Sequence, residues 1–446
     1  MKKIIFILLL FYFNSITFCQ WSEQKITPTP PKLNCVDAGL PVGSPQLQFG
    51  WIGGDSGTIL YTSNGGTNWY YRNNSTIGNY SVNVIALIGQ PYMWSNYGAL
   101  CSTTSAATTY IYRTTNQGLN WSAVYQQNSG RIRGISMAND SVVYVIGDPV
   151  GGRWTILKST NRGVSFDSSG LYLQQNGNEN SNYNSSYYSK SAYNSSITFM
   201  FGTNSSRLYR STNSGLNWNS IIIPFQNIYS ISLSKYWNYG GSGWEGYAMG
   251  NGAVYTTDYG QTWVVKTLPG TGDIHAFTFN YGDGAMYAKG SQIYHDTGTT
   301  QGFILRYTSP NGGNYTHMSI RTFAFEGVAV GGWAVKDNGT ISRYAYTIAA
   351  MKKISSEVPN NYLLSQNYPN PFNPNTKFKI QIAKVSNVKV VVYDVLGKEI
   401  AILVNEQLKP GSYEVEWDGS NYPSGVYFYK LITDSFSETK RMVLIK

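Results

Sequence analysis

Cysteine is nearly missing from this chain, with three in 446 residues, and one of them, Cys19, closes an apolar leader. The other two, Cys35 and Cys101, cannot be the framework of a chain this size, so a disulfide scaffold is excluded. They read equally as a pair joined in an oxidising compartment or as two small buried thiols. Histidine is as scarce. His275, His295 and His317 show neither H-x-x-x-H nor Cys/His spacing, which argues against a zinc site. Charged residues make up only 13% of the chain, and the net charge of +10, two of it from Lys2 and Lys3, is spread without runs. The basic stripe that nucleic acid asks for is missing. Beyond the leader no apolar run is long enough to cross a bilayer as a helix. No nucleophile elbow is set on a strand-to-helix turn and no phosphate loop occurs, so no cofactor is implied.

What the chain has instead is aromatic and polar-neutral: 37 Tyr, 12 Trp and 46 Gly beside abundant Asn, Ser and Thr. That mixture suits twisted β-structure with uncharged loops. The leader itself has Lys2 and Lys3, an apolar run from Ile4 to Phe13, and small residues near Thr17 and Cys19. These are the parts of a secretory signal peptide over residues 1–19, cut before Gln20. The alternative is a lipoprotein anchored through Cys19, against which stands the bulky Phe18.

One octet organises the rest. Thr62, Asn64, Gly66 and Trp69 fit [ST]-x-[DN]-x-G-x-x-aromatic, and the pattern returns at Thr114/Asn116/Gly118/Trp121, Ser159/Asn161/Gly163/Phe166, Ser211/Asn213/Gly215/Trp218 and Thr256/Asp258/Gly260/Trp263. A sixth copy, Thr308/Gly312/Tyr315, keeps the spacing but has Pro310 where the acid or amide stood. Successive copies begin 52, 45, 52, 45 and 52 residues apart, the length of a propeller blade. The Asn or Asp can accept backbone N–H groups and close a tight turn, and the Gly tolerates the positive φ such a turn needs. Short apolar runs flank each copy, so the octet reads as the turn of a β-hairpin and as a folding device, not a ligand site.

The octet resembles the Asp-box, or BNR, repeat of sialidase-like β-propellers. The resemblance implies an all-β propeller over residues 20–348, and the repeat text that follows the last octet makes it seven-bladed, with six blades as the alternative. Gly332-Trp333-Ala334-Val335-Lys336-Asp337-Asn338-Gly339-Thr340-Ile341 repeats the text that precedes the first octet, yet no octet follows it. Trp21-Ser22-Glu23-Gln24-Lys25-Ile26 looks like the strands that follow octets. The N-terminal strand is therefore expected to complete the last blade and remove the unpaired sheet edges.

Two stretches interrupt the array. Gln174 to Ser196 has little hydrophobic pattern and reads as a long loop, with Tyr183, Tyr187, Tyr188 and Tyr193 as a less favoured sugar-stacking surface. The run Tyr236 to Trp244 is aromatic and glycine-rich and reads as blade packing or a binding face. Catalysis finds little support. Sialidases carry an Arg-Ile-Pro motif before the first box; the nearest text here, Arg131-Ile132-Arg133, follows the second octet and lacks the proline, so no catalytic residue is carried over. Asp140, Asp148, Asp273, Asp283 and Glu326 are candidates in principle for a glycosidase pair, with ordinary loop acids as the expected reading. Asp283 between glycines is a weak hint of a calcium turn.

The last ninety residues change character. Residues 349–361 read as an exposed linker. The lead-in Asn367-Tyr368-Pro369-Asn370-Pro371-Phe372 is too rich in proline for a central strand. Short strand signals then follow, from Lys377, Val388, Gly411, Gly425 and Lys440, and give a small β-sandwich over residues 362–446. This segment is similar to the C-terminal sorting domain of the type IX, or Por, secretion system. The match rests on the lead-in, Val392-Tyr393-Asp394-Val395-Leu396-Gly397, Gly425 and the terminal Lys440-Arg441-Met442-Val443. The resemblance implies the type IX machinery as a partner, and a mature protein released or held at the cell surface after both ends are removed. The leading function is then a non-enzymatic module that binds a glycan or a protein, and the rival is an extracellular glycoside hydrolase, sialidase-like or glucan-active.

Overall fold

The structure is a computed structural model that describes residues 19–24, 26–39, 49–88, 98–105, 107–138, 141–190, 197–235, 244–280, 284–296, 302–323, 328–346, 352–355, 357–397, 399–419 and 422–446. Among these residues every regular element is a β-strand. Two compact units divide the chain, one over Trp21–Ala345 and one over its C-terminal residues from Tyr346 to Lys446.

The first unit is built from antiparallel sheets. The first sheet contains Leu33–Gly39, Phe49–Gly54, Ile59–Thr62 and Tyr70–Tyr71, in chain order. The first strands of the later sheets are Val82–Ile88, Ile132–Met137, Ser181–Lys190, Ile228–Lys235, Ala276–Asn280 and Tyr315–Phe323. Each of these packs beside the next, and Tyr315–Phe323 returns to Leu33–Gly39, so among the described residues seven sheets follow one another in a cycle. The last sheet runs in the order Cys19–Gln24, Ile341–Tyr346, Val328–Lys336, Tyr315–Phe323. Its outermost strand, Cys19–Gln24, comes from the opposite end of the unit and pairs with Ile341–Tyr346, so the two ends of the unit share one sheet.

The core lies between neighbouring sheets. Leu33, Val36, Ile52 and Leu60 of the first sheet meet Trp333, Val335 and Ile341 of the last. Cys35 and Trp51 meet Ile85, Cys101 and Trp121 of the second. Both cysteines are free thiols in this cluster, and burial raises the pKa of each, so the structure takes the second of the two readings of the pair.

Several expectations are corrected here. Ser181–Lys190, inside the stretch read as a loop, is the first strand of the fourth sheet and pairs with Ile197–Thr203. Its Asn, Ser and Tyr hide the strand because they lack apolar alternation. Tyr183, Tyr187 and Tyr188 lie on it, and Tyr193 lies outside the described residues, as does 236–243. The sixth octet does not sit between the third and fourth strands of its sheet, which are Gln292–Asp296 and Ile304–Thr308. Thr308 ends the outer strand and is exposed, Gly312 follows in the connection, and Tyr315 opens the next sheet.

The second unit is a sandwich of two four-stranded sheets. Lys352–Ser355, within the expected linker, is a strand of one of them and pairs with Gly411–Asp418. Glu399–Leu408, which the sequence reading passed over, is an edge strand of the other, on Ser386–Tyr393. Phe378, Ile380, Val390, Trp417, Tyr429 and Leu431 are among its buried core residues.

Candidate functional site

Five octets have one geometry. Thr62 Oγ1 donates to Asn64 Oδ1 at 3.0 Å and accepts the Gly66 N–H at 3.0 Å, while Asn64 Oδ1 accepts the Asn68 N–H at 2.9 Å. The same three bonds form from Thr114 and Asn116, Ser159 and Asn161, Ser211 and Asn213, and Thr256 and Asp258. The hydroxyl residues are all buried, and Gly66, Gly118, Gly163, Gly215 and Gly260 all have φ between 73° and 85°. A Cβ at Gly118 would stand 2.9 Å from Trp51 of the preceding sheet, and one at Gly163 2.7 Å from Leu100, so the glycine is fixed by packing as well as by φ.

The aromatics face the same way. Trp121 packs edge-on against Trp51, Trp69 against Trp333 and Phe166 against Tyr125. Trp218 packs on Phe201 in the cluster with Trp154, and Trp263 joins the cluster of Met200 and Val254. Arginines complete the stitch: Arg72 donates to Gln117 O, Arg113 to Arg162 O and Arg210 to Tyr259 O, each to the left-handed residue just before an octet glycine. The hydroxyl and the Asn or Asp oxygen of each octet are thus used inside the turn, and its glycine and aromatic pack against neighbouring side chains.

The opposite ends of the hairpins behave differently. There the residue after a second strand, or in the third sheet Asp148 near its end, donates its N–H to the residue before the first: Asp55 to Lys32, Asp148 to Arg131, Asn204 to Asn180, Asn251 to Asn227 and Asp337 to Asn314. These side chains gather polar groups at one mouth of the cycle. Asp55 Oδ1 accepts from Asn34 at 2.9 Å and Ser81 at 2.8 Å. Asp148 binds Arg133 through two bonds of 2.9 and 3.1 Å. Asp273 accepts from Asn251 at 2.6 Å. The His275 ring stacks on Tyr229 at 4.1 Å, and burial, aided by nearby Lys32 and opposed by Asp273, lowers its pKa and favours the neutral ring.

Between the first three sheets this mouth encloses a cavity of about 250 Å³, lined by Lys32, Asn34 and Asp55, by Ser81, Asn83 and Thr104, and by Arg131. Sequence reasoning flagged only Asp148, Asp273 and Arg131 of this region. The missed signal is the Gly-Asp or Gly-Asn pair at Gly54-Asp55, Gly147-Asp148 and Gly250-Asn251, one per sheet. Asp140, Asp283 and Glu326 lie outside the described residues. A buried Tyr–Glu pair does exist, since Tyr209 donates to Glu179, which also binds Arg207 at 3.1 Å. Burial, and after it the hydrogen bond and charge of Glu179, raise the Tyr209 pKa, and both residues sit in the packed interior.

In the C-terminal unit the lead-in lies against the last strand. Asn367 is buried, donating to Thr376 at 2.9 Å and to Pro369 O at 3.0 Å. Asn370 accepts the Val443 N–H at 2.9 Å, and the Phe372 N–H donates to Val443 O at 2.9 Å. The Phe372 ring is buried against Trp417, Tyr368 is 82% exposed between these anchors, and Pro371 is also exposed. Arg441 is exposed, Lys440 pairs with Glu438, and Gly425 opens the strand beside them.

The comparisons agree with this division. Residues 366–446 match the family of secretion system C-terminal sorting domains. A structure of YCF48 bound to D1 peptide superposes with a TM-score of 0.51 at 12% identity, covering 74% of this chain and 98% of that one. YCF48 from Cyanidioschyzon merolae superposes at 0.49 with 15% identity over 73% and 98%, and the WD40 propeller domain of Doa1 at 0.48 with 11% over 74% and 97%. No curated protein matches the chain in sequence. The chain thus carries a Por-type secretion system C-terminal sorting domain, which implies export by the type IX route, behind a unit with the fold of a β-propeller.

Proposed function

We propose that the chain is a seven-bladed propeller, stapled by Asp boxes, that works outside the cell as a non-enzymatic binding module after loss of residues 1–19 and of the sorting domain. Its ligand, a glycan or a protein, docks at the polar mouth. The observation that carries this reading is how the carboxylates there are used. Asp55, Asp148 and Asp273 are held by Asn34 and Ser81, Arg133 and Asn251 respectively, as struts of the scaffold. Glycoside hydrolysis needs two carboxyl groups with room for a sugar between them and one of them protonated near neutral pH.

Glycan and peptide arrays probed with residues 20–348 test the proposal. Retained binding without turnover of the bound glycan supports it. Release of reducing sugar from a bound glycan, abolished by Asp148→Asn or Asp273→Asn, would overturn it in favour of a hydrolase.

A further inference from the structure

We propose that residues 357–361 are a processing site, where an endoprotease acting in trans cuts the chain and frees the C-terminal sandwich without unfolding it. The proposal rests on the reading above that the mature protein loses this unit, and it states where and by what means. Hydrolysis there adds water across one peptide bond, leaving a carboxylate at the end of the propeller product and an amine at the start of the tail.

The position follows from the order of the strands. Lys352–Ser355 lies at one edge of its sheet and Leu363–Leu364 at the other, with Gly411–Asp418 and Asn375–Ile382 between them. The connection therefore has to cross three strand spacings, about 14 Å, which a tight turn cannot do. None of residues 357–361 pairs in a ladder, and Glu357, Val358, Asn360 and Asn361 are exposed. The Glu357 N–H donates to Ser355 Oγ at 3.1 Å, a local bond at the start of the segment. An exposed, unpaired stretch of this kind is where proteases nick a folded chain.

What lies on either side decides whether a cut releases the tail. Lys352–Ser355 meets Gly411–Asp418 at three residue pairs with a shift in register, and Ile354 is 40% exposed. Asn375–Ile382 meets the same strand at eight. Tethering keeps so short an edge strand in place while the chain is whole. After the cut it would have to bind as a separate piece, and three pairs do not offset the freedom lost. On the tail side Leu364 is buried with its N–H donated to Glu438, and Asn367 and Phe372 are buried after it. A cut beyond Leu364 would strip that core, whereas one at 357–361 leaves whole the segment 366–446 that matches the sorting family.

The test has two parts. Mature protein from producing cells should end between residues 357 and 361 by mass spectrometry of its C-terminal peptide. Val358→Pro combined with Asn360→Pro falls on exposed, unpaired positions, and should lower the tail-free product at least tenfold with the unfolding midpoint unchanged. In the second part a glutamate-specific endoprotease is added to the folded full chain. Cutting after Glu357 should let residues 358–446 elute apart from the propeller without denaturant and still melt cooperatively. A mature end before Lys352 or beyond Leu364 overturns the proposal, as does resistance of Glu357 until the chain is unfolded, or fragments that stay together after the cut. Each of these leaves ligand binding by the propeller standing. A mature protein that keeps its whole tail overturns the proposal together with the reading that the tail is lost.

Discussion

At the residue scale the octets share one economy: a buried hydroxyl takes a glycine N–H and gives its proton to an Asn or Asp, which in turn caps the far side of the turn. Thr114→Val keeps the shape and strands the Gly118 N–H in a dry interface, a cost of about 1–3 kcal/mol. Urea unfolding of the wild type and the variant measures it, and an unchanged midpoint would show that the hydroxyl is ornamental. The fifth octet adds a charge. Burial raises the Asp258 carboxyl, but bonds from Thr262, Thr256 and the Gln261 N–H outweigh it and hold its pKa at about 2, below the ordinary aspartate value of 3.8. A carboxyl depressed in the folded state contributes stability that is present above about pH 4 and is lost as pH falls through 2. Asp258→Asn, the residue four other octets use, should flatten that part of the acid limb and leave stability near neutrality almost unchanged. Thermal melts from pH 2 to pH 6 compare the two.

At the element scale the N-terminal strand joins three sheets. Glu23 receives Lys336 at 2.9 Å, Ser342 at 2.6 Å, Tyr307 at 2.9 Å and Asn311 at 3.2 Å. Gln24 receives the indole N–H groups of Trp69 and Trp333 and donates to Gly66 O at 2.7 Å. The Lys336 side chain is fully buried, so Glu23→Ala leaves an ammonium in the interior without its counter-ion, at a cost on the order of 3 kcal/mol. Hydrogen exchange should then quicken first in Val328–Lys336 and Ile341–Tyr346, and uniform loosening of all sheets would argue against a seam. This strand was legible because Trp21 to Ile26 copies the strands that follow octets. The polar Ser181–Lys190 was not legible, since a strand without apolar alternation gives no period to read. Thr308 misled for a related reason: spacing alone matched, and the buried hydroxyl there belongs to Ser309, which binds Lys336 in the seam. The cavity was beyond local reading altogether, because Lys32, Ser81 and Arg131 meet only once three sheets are stacked.

At the scale of the whole molecule, the C-terminal unit carries both residues that hold its lead-in down and residues that the lead-in displays, and burial tells the two apart. Asn367 and Phe372 are buried and bonded to Thr376, Pro369 and the last strand, so they hold the lead-in down. Tyr368 and Arg441 are exposed beside them, and the bonds that tie them to the lead-in run through their backbones, to Lys377 from Tyr368 and from Gln366 and Asn370 to Arg441 O. A surface that export machinery reads must be exposed, whereas residues that make the surface must be buried. Phe372→Ala therefore should unfold the sandwich, since removing a buried aromatic costs about 3–5 kcal/mol, and block export through loss of structure. Tyr368→Ala should leave the melting curve of the full chain in place and still trap the protein inside the outer membrane, as deletion of residues 366–446 would. Immunoblots of periplasmic, surface and medium fractions separate these cases. If Tyr368→Ala is exported like the wild type while Phe372→Ala is retained, the machinery senses the fold of the sandwich and not the residue its lead-in displays.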